Sequence, residues 1–380
     1  MKKIAFSGTL DPITNGHLWV IGEARALAEQ VVVFLSENPF KKPQFTVQQR
    51  KEIIEQSAAE RGWHNIQVIV VKGDFTARAA KKYGIDYLIR GIRNTADFDY
   101  ENLIQQTNVD VLHGAKTLFV MPPRDLGSVS SSFIKALQGP VGWHWITAQF
   151  VPPPAYRAWI LDWLRKDWEA LWPAATPESV ALSNRWFEYL TGPASYGGPT
   201  RHYHNLDHLV HGLSELRVWA ANTGTAPQDL AVVKKAFWFH DAVYGHTGSD
   251  LSNEEESAQL WLTSQLDPQQ ACAVADLIRA TDHFQACGVD HPQKQVMLGA
   301  DLAILGQDPA TYAAYAKAIR LEYAFVPDDM YRERRADAMR QLRDKAVAGL
   351  LFGDSYFAAQ YTDSAVSNLT REIDGLAAAA

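Results

Sequence analysis

The chain has 380 residues, 47% hydrophobic and 21% charged, a globular balance with enough apolar material for more than one core. A formal charge of −7 argues against a general nucleic-acid binder, which needs a basic face to displace counterions from phosphates. Its two cysteines, Cys272 and Cys287, form no CxxC pair, which excludes a thiolate zinc site and fits reduced thiols in a cytosolic protein.

The basic start runs into apolar residues that break off at Ser7 and Gly8, so no signal-peptide core is read, and no stretch approaches a membrane span. A soluble cytoplasmic protein is expected, with no membrane partner. In chain order, strands are predicted at Lys3–Phe6, Val31–Leu35, Gln67–Val71, Tyr87–Ile89 and Thr117–Val120. Helical patterns fall between them at Gly16–Ala28, Val47–Arg61, Thr76–Tyr83 and Asp97–Leu112. This alternation predicts a Rossmann-like α/β fold, a parallel sheet with helices on both faces and ligands at the carboxyl ends of the strands. After Pro152-Pro153-Pro154 strand-like runs cease. Helical patterns rich in Trp, Ala and Leu follow at Ala155–Trp172, Ser179–Tyr189, Asp207–Ala221, Leu230–Phe239, Glu254–Gln265, Gln269–Thr281 and Pro309–Tyr323, predicting an all-α domain. The proline triplet marks a junction, and the expected domains are residues 1–160 and 161–380.

The first predicted strand leads directly into Ser7-Gly8-Thr9-Leu10-Asp11-Pro12-Ile13-Thr14-Asn15-Gly16-His17. Gly8 lets the backbone leave the strand tightly and approach a ligand. His17 falls at a helix start, where free N–H groups and the helix dipole favour anions, and its imidazole can donate to phosphate oxygens as charge builds. Lys41-Lys42 follows the second strand, and Arg90-Gly91-Ile92-Arg93 the fourth, with guanidiniums suited to forked phosphate contacts. Ser128-Val129-Ser130-Ser131-Ser132 follows the fifth and offers hydroxyl and N–H donors to a polyphosphate. Any one of these is an ordinary solvated loop or helix cap; several at one sheet edge point to a nucleotide cradle.

The run GTLDPITNGH, the KKP segment, RGIRN with DFDYE, and SVSSS resemble phosphopantetheine adenylyltransferase in order and spacing, over about 160 residues. TNGH is similar to that family's form of the HxGH nucleotidyltransferase signature. The resemblance implies that the phosphate of 4′-phosphopantetheine attacks the α-phosphorus of ATP, releasing pyrophosphate and forming dephospho-CoA, with Mg²⁺ accompanying ATP. It implies that Thr9 and His17 hold the α-phosphate and its developing charge, and that Lys41 and Arg90 grip the pantetheine phosphate. Gly8, Arg93, Glu101, Ser130, Ser131 and Ser132 would bind ATP, and Asp74 with Phe75 would line the pantetheine pocket. The family is usually hexameric, so a homo-oligomer is expected. Leu10 and Leu126-Gly127 depart from the family pattern at the edge of the site, where they bear on the phosphate acceptor.

In the second half, Arg201-His202-Tyr203-His204-Asn205-Leu206-Asp207-His208 places two histidines four positions apart, which on a helix would face one way. His240-Asp241 ends an apolar helical pattern, and Asp301 sits in another apolar stretch, where an unpaired carboxylate is costly. Each alone reads as a core residue; the ordered set His208, His240, Asp241 and Asp301 reads as a shared divalent-metal site. The donor types suit Mn²⁺, Fe²⁺, Zn²⁺, Co²⁺ or Mg²⁺, any of which would lower the pKa of a bound water and polarise a phosphoryl group.

RHYHNLDH, AFWFHDAVYG, NEEESA, IRATDH, DADLAILG and YAKAIRLEY resemble a group of predicted phosphohydrolases of the HD superfamily. YHNxxH is also similar to the motif of cyclic-nucleotide phosphodiesterases, which implies His204 as proton donor and His208 as metal ligand. Glu254 and His283 are implied for a second metal or the substrate phosphate. The combined expectation is a bifunctional enzyme: an adenylyltransferase followed by a phosphohydrolase of a phosphorylated small molecule. The alternatives are a different phosphate acceptor for the transferase and a nucleotide-sensing, regulatory role for the helical half.

Overall fold

The computed structural model describes residues 2–378 apart from 38–41, 113, 173–175, 246–249 and 286–287. The chain divides into two compact units, Met1–Trp159 and Ile160–Ala380. Among the described residues, no helix is long and apolar enough to cross a membrane.

The first unit is built on five strands: β1 (Lys3–Gly8), β2 (Gln30–Glu37), β3 (Ile66–Lys72), β4 (Tyr87–Gly91) and β5 (Lys116–Val120). They form one parallel sheet in the order β3-β2-β1-β4-β5. The helices α1 (Asn15–Leu27), α2 (Val47–Glu60), α3 (Thr76–Lys82) and α4 (Thr95–Gln106) connect successive strands, and α5 (Ser131–Leu137) and α6 (Trp143–Ala148) follow the last. Ile4, Ala5, Phe6, Val31, Val32, Val33, Phe34 and Leu35 are all buried. A strand covered on both faces must be apolar at successive positions, which is why these segments read as continuous β-branched runs rather than alternating ones. The order reverses between β1 and β4, so their carboxyl ends, Gly8 and Gly91, flank the crevice where such sheets bind ligands. The predicted helix Asp97–Leu112 is α4 followed by a short π-helical turn at Thr107–Val111.

The helices that follow are α7 (Pro153–Leu171), α8 (Pro177–Thr191), α9 (Leu206–Thr223), α10 (Ala231–Phe239), α11 (Asn253–Ser264), α12 (Ala271–Arg279), α13 (Lys294–Leu302), α14 (Pro309–Glu322), α15 (Asp328–Val347) and α16 (Ser355–Ala378). Pro153 and Pro154 occupy the first turn of α7, where an imide nitrogen costs no helical hydrogen bond. The central helix is α9, buried at nearly every position from Leu206 to Leu216 and packed against α10 and α13. Its Asn205 cap accepts from the Asp207 and His208 backbone N–H groups and places His208 in the first turn.

Candidate functional site

A cavity of about 530 Å³ opens at the carboxyl ends of β1 and β4. Gly8, Thr9, His17, Arg90, Arg93, Glu101, Ser130, Ser131 and Ser132 all line it, so these predicted residues converge. Lys41 lies outside the described residues; its neighbour Lys42 lines the cavity. Asp74 and Phe75 are not among the described lining residues. Asp74 pairs with Arg78 at 3.6 Å just beyond β3, and Phe75 is exposed, capped by the Arg78 guanidinium. Thr76, directly after Phe75, meets the lining residue Ser7 at 3.1 Å between hydroxyl oxygens, so this segment borders the cavity.

His17 is the third residue of α1 and completes a capping box with Thr14. The Thr14 backbone N–H donates to His17 Nδ1 at 3.0 Å, so that nitrogen carries a lone pair and the proton resides on Nε2. Burial, reinforced by Arg93 and Arg90, lowers its pKa from 6.5 to about 4. His17 is therefore a neutral hydrogen-bond donor at physiological pH. Arg90 donates to the Ser7 carbonyl and pairs with Glu101 at 3.2 Å. Asp97 grips Arg93 through both carboxylate oxygens, at 2.6 and 3.1 Å. A Cβ at Gly8 would meet Leu10 Cδ2 at 3.1 Å, so the loop leaves little room there for a side chain. Leu10 itself takes a left-handed backbone, φ 49°, a strained state for a non-glycine residue.

Three supports of this loop carry no signal in the sequence. Buried Arg50, on α2, donates to the Thr9 and Phe45 carbonyls. Buried Asp11 accepts from the Gln44 and Phe45 N–H groups at 2.8 and 3.0 Å and pairs with Lys135 on α5. A charged residue on a helix normally faces solvent, and only the fold shows that Arg50 turns inward.

The second unit assembles a second site. His208, His240, Asp241 and Asp301 each present a ligand atom, all within 4.8 Å of one another. The two Nε2 atoms are 3.0 Å apart. Asp241 Oδ2 lies 2.9 Å from His240 Nε2 and 3.3 Å from His208 Nε2, and Asp301 Oδ1 lies 3.3 and 3.4 Å from the same atoms. Donors about 2.1 Å from one ion stand about 3.0 Å apart at right angles and about 3.4 Å apart at the tetrahedral angle. The observed spacings span that range. His240 Nδ1 donates to the Phe237 carbonyl at 2.8 Å, leaving its Nε2 lone pair for the cluster. Without an ion, burial raises the carboxyl pKa values of Asp241 and Asp301, but a protonated His240 and their hydrogen bonds outweigh it and hold both well below the usual range; the two carboxylates in turn raise the pKa of His240 and His208, so a bound cation would take the place of a proton here. Two N–H groups cannot point at each other across 3.0 Å: without an ion one imidazole donates to the other, and with one both lone pairs can share the cation.

His283 is not in this set; its Nε2 binds Asp301 Oδ2 at 2.8 Å and orients that carboxylate from behind. Glu254 lies in the first turn of α11, and among the described contacts nothing joins it to the cluster. His204 is not on a shared helix face, because it precedes the Asn205 cap of α9; it still lies beside His208, ring centroids 5.7 Å apart, and its Nδ1 meets Glu322 Oε2 at 2.7 Å. The other Glu322 oxygen accepts from the Tyr203 and His204 backbone N–H groups at 2.7 and 2.9 Å. Burial raises the Glu322 pKa, but the His204 contact and these N–H groups outweigh it and keep it a carboxylate. Glu322 closes α14 and was not singled out from the sequence, because its partner lies 118 positions away.

The sheet and its cavity define a cytidylyltransferase-like domain, and residues 5–137 match the family model of that description. The phosphopantetheine adenylyltransferase of Chromobacterium violaceum is 37% identical over 157 residues, covering 41% of this chain and 94% of that protein. Its counterpart in Neisseria meningitidis serogroup C is 31% identical over 155 residues, covering 41% and 90%. That of Actinobacillus succinogenes is 37% identical over 158 residues, covering 42% and 94%. Through its amino-terminal part, the chain belongs to the phosphopantetheine adenylyltransferase family. A class III photolyase structure from Agrobacterium tumefaciens aligns with 85% of this chain and 79% of its own at 12% identity, with a TM-score of 0.24 that carries no weight for the fold.

Proposed function

We propose that residues 1–160 transfer AMP from ATP to 4′-phosphopantetheine, giving dephospho-CoA and pyrophosphate, a step of coenzyme A biosynthesis. The observation that carries this reading is the convergence of Thr9, His17, Arg90, Arg93, Glu101 and Ser130–Ser132 on one cavity. The acceptor phosphate attacks the α-phosphorus and pyrophosphate departs, with no covalent enzyme intermediate. His17, neutral and donating from Nε2, stabilises charge that builds on the α-phosphate, an interaction worth most where water is excluded. Arg90 and Lys41 hold the acceptor phosphate; Arg93, Glu101 and the serines hold ATP with its Mg²⁺. The test is pyrophosphate release by the purified chain with ATP, Mg²⁺ and 4′-phosphopantetheine, with products resolved by mass. Dephospho-CoA is expected. ATP binding without turnover on this acceptor would refute the assignment and leave a nucleotidyltransferase for another phosphate.

Residues 161–380 are proposed to be a metal-dependent phosphohydrolase of the HD type. The four-donor cluster supports this, together with His204 held by Glu322 at its edge. His208, His240, Asp241 and Asp301 would hold the divalent ion, which supplies charge neutralisation and water activation. His283 orients Asp301, and His204, with Nδ1 fixed on Glu322, presents Nε2 to a leaving oxygen as general acid. A complete donor set favours catalysis over a purely sensory role. The chain is expected to retain about one equivalent of Mn²⁺ after dialysis and Asp241→Ala none, measured by mass spectrometry of the bound metal. Equal metal in both would rule out this site.

A further inference from the structure

One carboxylate joins three separate segments of chain at the cavity of the first unit. Asp11 is 3% exposed, and its two oxygens accept from the Gln44 and Phe45 backbone N–H groups at 2.8 and 3.0 Å. Gln44 and Phe45 continue directly from Lys42 and Pro43, which line the cavity. The oxygen that meets Gln44 also pairs with Lys135 Nζ. Lys135 stands on α5, about one turn beyond Ser131 at the start of that helix. Ser131 Oγ donates to the Pro12 carbonyl at 2.8 Å, a second tie between α5 and the loop, one residue past Asp11.

The loop held in this way is strained. Leu10, between Thr9 and Asp11, keeps its left-handed φ of 49°, a state that persists only where the surroundings fix it. Arg50 holds the Thr9 carbonyl on one side of Leu10, and the contacts of Asp11 hold the other. Asp11 and Lys135 both line the cavity, yet the ammonium is already neutralised by a buried carboxylate. Taking Lys135 away to meet a substrate anion would leave that carboxylate buried with an uncompensated charge, which is costly.

Resting on the adenylyl-transfer reading, we infer that Asp11 and Lys135 are positioning residues, a clasp that holds the acceptor-phosphate side of the cavity, around Lys42, in register with the ATP side, at Ser130–Ser132. In-line transfer needs the acceptor oxygen close to the α-phosphorus, and a misplacement of about 1 Å costs about 100-fold in rate. The clasp touches neither substrate. Opening it lowers kcat and leaves the binding of each substrate nearly as it was.

The test measures dephospho-CoA formation by the full chain with Mg²⁺ while ATP and 4′-phosphopantetheine are varied in turn. Lys135→Gln, a change at a part-exposed side chain, is expected to lower kcat about tenfold or more and to move either KM by less than about threefold. Asp11→Asn is expected to lower kcat at least as far. The double variant Asp11→Asn/Lys135→Gln should fall within about twofold of Asp11→Asn, because both changes open one clasp. Unchanged kcat in Lys135→Gln, or losses that multiply in the double variant, would overturn the inference. So would a rise of about tenfold in one KM at constant kcat, which would make Lys135 a substrate ligand. If wild type forms no dephospho-CoA, the adenylyl-transfer reading fails, and the clasp is judged by amide hydrogen exchange. ATP is then expected to slow exchange at Gln44 and Phe45 by about threefold or more in wild type and not in Lys135→Gln. An equal effect in both, or none in either, overturns it.

Discussion

Replacing Gly212 with alanine tests how the helical packing holds the four-donor cluster. A Cβ at Gly212 would lie 1.8 Å from Phe237 Cζ and 2.4 and 2.6 Å from its two Cε atoms. An ordinary contact is about 3.5–4.0 Å, so the ring must retreat by about 1.5 Å or more. Phe237 is fully buried and has nowhere to go without moving its neighbours. Overpacking of this kind costs about 1–3 kcal/mol. The same ring lies 5.5 Å from the His208 ring and 4.6 Å from the His240 ring, and the Phe237 carbonyl holds His240 Nδ1. Displacing it tilts both imidazoles, and loss of such outer support lowers metal affinity about 10- to 100-fold. Calorimetric titration with Mn²⁺ and urea unfolding of the full chain read the two effects separately. The double variant Gly212→Ala/Phe237→Leu, with a smaller side chain opposite the new methyl, should recover part of both losses, a coupling expected of touching residues. If Gly212→Ala binds Mn²⁺ within about twofold of wild type and unfolds at the same urea concentration, the packing argument is wrong.

His17→Ala is expected to lower kcat for pyrophosphate release by about 10²–10³, the effect of losing one donor to a developing oxyanion; a change under about threefold would remove His17 from the mechanism. His17 ionises at about 4 in the folded chain, below its ordinary 6.5, so its contribution to stability is complete above pH 6.5 and lost as pH falls toward 4. The loss is at most about 3 kcal/mol, and urea midpoints of wild type and His17→Gln should converge as pH falls across that window. Glu322→Gln removes the carboxylate that fixes His204 and should slow phosphate-ester hydrolysis about 10- to 100-fold while leaving bound Mn²⁺ unchanged. Parallel loss of the metal would mean that Glu322 is structural support rather than a partner of the proton donor.

Much of the first unit was legible because burial on both faces of a parallel sheet forces apolar runs, and loops at the strand ends must carry the remaining polar residues. The second unit was less so. The charged helix α15 hides its buried stripe of Tyr331, Ala336, Met339, Leu342 and Ala346 among eleven acidic and basic residues between Asp328 and Lys345, and it was not predicted. Neither were the short α13 as a bounded helix nor the long α16, whose buried positions Phe357, Ala365, Asn368, Leu369 and Ile373 are widely spaced.

By itself the sequence determined the alternation of strand and helix, the change to an all-helical second half, and the kinds of donor available, because these depend on local periodicity and residue chemistry. Tertiary structure alone decided which donors meet. The packing of α9 against α10 and α13 brings His208, His240, Asp241 and Asp301 to ligand spacing, and the end of α14 delivers Glu322 to His204. It turned Arg50 inward to hold the Thr9 carbonyl. Local pattern constrains a residue's face on its own element, whereas contacts between distant segments are fixed only when the elements pack.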